Sequence, residues 1–148
     1  MTHISEILGR ARSRKGELPY EGALLPFEAH ALLLEAPGAR LVDVRTRAEL
    51  DWVGRIPGCV HIEWKSYPGM VDNPDFLSQL KQQVDRESLL MFICRSGQRS
   101  HAAAALAAAS GFTSCYNVLE GFEGDRNAHS HRGKVNGWRF SGLPWEQG

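Results

Sequence analysis

Two kinds of apolar pattern alternate along this chain. "ARLVDVR" (39–45) and "ESLLMFICR" (87–95) are short runs rich in Val, Ile, Leu and Phe that end abruptly at polar residues, as strands buried on both faces do. "GCVHI" (58–62) and "TSCYNVL" (113–119) predict two shorter strands, and "GALL" (22–25) a fifth. The segments between them carry helix signals. Pro26 opens "PFEAHALLLEA" and Pro37 with Gly38 closes it, the usual asymmetry of helix ends. Thr46 and Glu49 in "TRAEL" form a capping box. Asn73 and Pro74 start "NPDFLSQLKQQV", in which Phe76, Leu77, Leu80 and Val84 share one helical face. "SHAAAALAAAS" is almost pure helix former and stops at Gly111.

Strands alternating with helices predict an α/β protein with a parallel sheet covered on both faces. In such sheets ligands bind beyond the carboxyl ends of the strands, so the strand ending at Ile93 delivers Cys94 to the expected site. The stretch from Asp125, "DRNAHSHRGKVNGWRFSGLPW", is polar and Gly-rich and reads as an irregular wrap anchored by Trp138 and Trp145.

Composition narrows the partners. The chain has 148 residues, which predicts one hydrophobic core. Its 17 basic and 17 acidic residues cancel, removing the long-range field that would draw it to nucleic acid or an anionic membrane. No window approaches the apolar length of a membrane span, and the first residues lack the apolar run of a secretory signal. Three cysteines without a CxxC pair fit neither a disulfide framework nor a structural zinc site. No metal or cofactor is expected, and the expected home is a reducing cytoplasm. Arg10, Arg12, Arg14 and Lys15 cluster in "GRARSRKGE", so residues 1–18 read as a basic, partly flexible tail before a single domain at 19–148.

The chemistry concentrates in "CRSGQRS" (94–100), between a strand and a helix. A helix start offers unpaired N–H groups and the positive end of the helix dipole. Gly97 allows the loop to curl, Arg95 and Arg99 add permanent charge, and a cysteine in that concavity is expected to ionise. The loop therefore predicts a nucleophilic thiolate beside an anion cradle. Cysteine-dependent phosphatases have one residue more between cysteine and arginine. Arg99, five residues after Cys94, closes a smaller loop, better suited to a sulfur atom or compact oxyanion.

The chain resembles a single-domain rhodanese, a sulfurtransferase. "CRSGQRS" is similar to that family's active-site loop, and "LVDVRTRAELDWVGRIPGCVHI" to its upstream signature. "NVLEGFEGD" and "GLPW" resemble its later Gly-rich turn and C-terminal signature. The resemblance implies a three-layer α/β/α fold around a five-stranded parallel sheet. It also implies that Cys94 takes a sulfane sulfur from a small anionic donor, thiosulfate foremost, and passes it from a persulfide to cyanide, a thiol or a protein acceptor. Arg95 and Arg99 would then orient the donor, with Ser96, Gly97, Gln98 and Ser100 completing the cradle and Asp43 and Arg45 supporting it from below. Two alternatives stay open. One is a carrier module loaded by a protein partner, the other a cysteine phosphatase or arsenate reductase. Trp64 and Tyr67 follow a strand on the ligand side and are candidate pocket walls. Cys59 and Cys115 read as inert core residues, and His129 and His131 as solvent-facing.

Overall fold

A computed structural model describes residues 2–147 of the chain. Five strands, β1 (Gly22–Leu24), β2 (Arg40–Asp43), β3 (Val60–His61), β6 (Leu89–Ile93) and β7 (Ser114–Val118), form one parallel sheet in the order β1-β7-β6-β2-β3. All five coincide with the predicted apolar runs. The central strand is β6, paired with β2 on one side and β7 on the other.

Side chains alternate across the sheet, as strand geometry requires. Leu90 and Phe92 join Val42, Val44 and Val60 in a core beneath α4 (Phe76–Gln83) and α5 (Gln98–Ala109). Met91 and Ile93 face the opposite way, into a core with Leu32 of α2 (Pro26–Glu35), Tyr116, Phe122 and Trp138. Small residues let α5 lie close, because Ala103, Ala104 and Ala107 are all fully buried. The short helix α3 (Arg47–Trp52) opens on the predicted capping box, with Glu49 N donating to Thr46 Oγ1 and Thr46 N to Glu49 Oε1.

Two features depart from the sequence reading. The basic segment at 1–18 contains a helix, α1 (Thr2–Ser13), with Ile7 and Ala11 buried; Met1 lies outside the described residues. Its arginines are not simply solvated: Arg10 and Arg14 both reach Glu28, whose carboxylate is fully buried, at 2.9 and 2.7 Å. A buried charge requires such partners, and α1 supplies them while covering the β1 edge of the sheet. The second is an antiparallel ribbon, β4 (Lys65–Ser66) with β5 (Val71–Asp72), inserted between β3 and α4. The stretch from Asp125 is the expected irregular wrap, with Trp138 fully buried and its indole N–H donating to Pro144 O at 2.8 Å. No helix among the described residues is long and apolar enough to cross a membrane.

Candidate active site

Cys94 follows β6 directly, and Gly97 caps α5 with φ of 111°, a left-handed conformation that favours glycine. That turn aims the Gly97 N–H back at Cys94 Sγ, 3.1 Å away. Ser100 Oγ lies 3.3 Å from the same sulfur and 2.6 Å from Asn117 Oδ1. A hydroxyl has a single proton, and the shorter contact assigns it to Asn117, leaving the serine oxygen free to accept from the thiol. Asn117 Nδ2 donates to Gly97 O at 3.2 Å, so β7 holds the loop from its far side. The thiol thus sits at the positive end of α5, in a residue that is only 1% exposed.

The two loop arginines differ. Arg95 is exposed and makes no side-chain ion pair among the described residues. Arg99, expected to face an anionic donor, makes a two-point ion pair with Glu49, at 2.7 and 2.8 Å. Burial alone would raise the Glu49 carboxyl, but hydrogen bonds from Arg99 and Thr46 overcome it and hold the group at about 2, against an ordinary 4.5. A carboxylate depressed in the folded state contributes stability above its unfolded value and loses it as pH falls through the folded one. Glu49→Gln is therefore expected to destabilise the protein at pH 6, with the deficit shrinking between pH 4.5 and about 2; urea unfolding of both proteins across that range checks it.

A Gly-rich turn after β7 forms the back wall. Phe122 N donates to Cys94 O at 2.8 Å, and Glu123 N to Arg95 O at 3.0 Å. Gly121 makes this approach feasible. It has φ of 68°, and a Cβ there would lie 2.5 Å from Arg95 C and O and 2.6 Å from Cys94 O. Gly121→Ala is expected to push the loop outward and slow any reaction at Cys94 by about a hundredfold, the scale of effect that an ångström of misplacement produces; the rate of thiol modification beside a thermal melt separates this from unfolding.

Asp43 and Arg45 lie on the opposite face of the sheet from Cys94. They form a fully buried pair, with Arg45 Nη2 to Asp43 Oδ2 at 2.7 Å and to Gly54 O at 3.0 Å. The Arg45 guanidinium stacks 4.1 Å from the Phe122 ring centre. The pair therefore reaches the loop through Phe122 rather than directly.

A cavity of about 660 Å³ opens beside the loop, lined by Arg95, Arg99, Glu49, Trp52, Tyr67 and Met70 among others. Tyr67 is thus a pocket wall, whereas Trp64 packs edge-on against Phe76. Ser96 is half-buried and Gln98 exposed, both without side-chain hydrogen bonds among the described residues. Burial pushes the thiols of Cys59 and Cys115 up to about 12. His129 and His131 are exposed, and among the described residues no three His, Cys, Asp or Glu side chains cluster as metal ligands do. The sequence reading missed Glu49 as a partner of Arg99, and Asn117 and Gly121 as supports of the loop. The capping box marked Glu49, but only as a helix start.

Comparison with known proteins agrees with this fold. Residues 26–128 match the family of the Rhodanese-like domain. The chain is 42% identical to the protein in the crystal structure of Rv0390 from M. tuberculosis, with a TM-score of 0.80 covering 87% of this chain and 99% of that one. It is 34% identical over 125 residues to the uncharacterized protein RC0915 of Rickettsia conorii, covering 80% of this chain and 92% of that protein. Thiosulfate sulfurtransferase 16, chloroplastic, of Arabidopsis thaliana is 30% identical over 118 residues, 78% of this chain and 85% of that protein.

Proposed function

The chain belongs to the rhodanese-like domain family, and from that premise we propose that it is a sulfurtransferase working through a persulfide on Cys94, with thiosulfate as donor. The observation that carries this reading is the Gly97 N–H held 3.1 Å from Cys94 Sγ at the start of α5. The thiolate attacks the outer sulfur of thiosulfate, and the donor's S–S bond breaks. Sulfite leaves with the bonding electrons, and Cys94–S–S⁻ remains. Backbone N–H groups of the loop stabilise the anionic sulfur in both half-reactions. Arg95, the loop guanidinium without an ion-pair partner among the described residues, orients the departing sulfonate. Arg99, tied to Glu49, keeps the loop in register.

An acceptor nucleophile then attacks the outer sulfur and Cys94 departs as thiolate. The three unpaired cysteines suit a reducing compartment such as the cytoplasm. Intact-mass measurement after incubation with thiosulfate tests the proposal: one added sulfur is expected, removed by cyanide and absent from Cys94→Ser. No adduct on the wild-type protein would overturn the thiosulfate reading.

A further inference from the structure

The walls of the cavity beside the loop are mainly apolar. Trp52 and Val53 come from the end of α3, and Tyr67 and Met70 from the turn of the β4–β5 ribbon. Trp52 is 79% and Tyr67 67% exposed, so two large aromatic faces stand open to water at the mouth of the site. Large aromatics left open in this way mark places where an apolar partner binds.

The charges of the cavity nearly cancel. Arg99 is neutralised by Glu49, and the remaining guanidinium, Arg95, shares the lining with Glu123. A small inorganic dianion draws little from such a cavity beyond its contact with the loop. The cavity's volume of about 660 Å³ falls in the range of small-molecule sites, roughly 300–1,000 Å³.

We infer that this cavity is the acceptor subsite and that it selects a small organic thiol with an apolar or aromatic body, held between Trp52, Tyr67 and Met70. This rests on the persulfide reading above. The step is balanced: the acceptor thiolate attacks the outer sulfur of Cys94–S–S⁻, and a new S–S bond forms on the acceptor. The Sγ–S bond breaks with its electrons going to Cys94, and the acceptor leaves as an organic persulfide. No oxidant is consumed. The outer sulfur adds about 2 Å to the reach of Cys94, whose loop neighbours Arg95 and Arg99 line the cavity.

The test separates loading from discharge. Cys94 is loaded with inorganic polysulfide, which makes the persulfide whether or not thiosulfate is a donor. Discharge is then followed by intact mass with benzyl mercaptan and with 2-mercaptoethanol, thiols of similar acidity. Each rate is normalised to that with glutathione persulfide in solution. Benzyl mercaptan is expected to discharge the enzyme about tenfold faster, the effect of burying part of an aromatic ring. In Trp52→Ala and Tyr67→Ala the ratio should fall toward one. Leu34→Ala, exposed on α2 away from the cavity, should keep it. A ratio near one in the wild-type protein, or one unchanged in both aromatic variants, overturns the inference. Loading by polysulfide but not by thiosulfate defeats only the donor assignment, whereas loading by thiosulfate with a ratio near one defeats only the subsite.

Discussion

Cys94→Ser is expected to lower sulfur transfer from thiosulfate by about a thousandfold or more, the scale seen when a covalent nucleophile is removed. A serine hydroxyl cannot carry the transferred sulfur as a persulfide, so no other loop group can rescue the first half-reaction. The substitution is nearly isosteric, and a hydroxyl at the same place can accept from Gly97 N–H and donate to Ser100 Oγ. The thermal midpoint should therefore move by a few degrees at most, consistent with about 1 kcal/mol. The contrasting pair makes the result specific. Cys59 and Cys115 have thiols pushed up to about 12 by burial, which leaves about one in ten thousand ionised at pH 8. Cys59→Ser and Cys115→Ser should keep both the mass adduct and most of the turnover. Steady-state sulfite release from the three variants checks the whole set. Adduct formation that persists in Cys94→Ser and disappears in Cys115→Ser would move the nucleophile to β7.

Much of this architecture was legible because its signals are local. The run from Leu89 to Ile93 and the cap at Thr46 each declare themselves within a few residues, through period and capping chemistry. The Cys94 loop did so as well, since a strand, a glycine turn and a helix start are consecutive in the chain. Contacts across the fold left no such trace. Glu49 and Arg99 are 50 positions apart, so the one reads only as a helix cap and the other only as a charge of the anion cradle. The contacts of the N-terminal segment were hidden for the same reason: Arg10 and Arg14 look like solvated charges until Glu28, 18 and 14 positions later, is seen buried against them. The β4–β5 ribbon was unreadable for another reason. Its paired segments are two residues each, too short for any period to register, although its turn brings Tyr67 and Met70 to the cavity. Asp43 and Arg45 were placed under the loop in supporting roles by resemblance. Strand alternation puts them on the other face, and that changes how they can act.

The second large effect follows from that placement. Asp43→Asn is expected to destabilise the protein by about 3–5 kcal/mol, the usual cost of removing one partner from a buried ion pair. Arg45 would keep its charge, with Gly54 O and the Phe122 face as its remaining partners, and Arg45 Nη1 already has none among the described residues. In a chain of this size that loss corresponds to a thermal midpoint lower by about 10–15 °C. Turnover should fall too, because the guanidinium is stacked on Phe122, whose N–H holds Cys94 O at 2.8 Å. A thermodynamic cycle separates the stranded charge from the packing. Arg45→Met in the Asp43→Asn background removes the charge while filling much of the same volume, so the double variant should be more stable than Asp43→Asn alone. Urea unfolding of the wild-type, single and double variants measures the coupling. Costs that simply add would mean the two residues support the loop by shape and not by charge. A recovered melt with turnover still reduced would separate the pair's contribution to stability from its hold on the loop through Phe122.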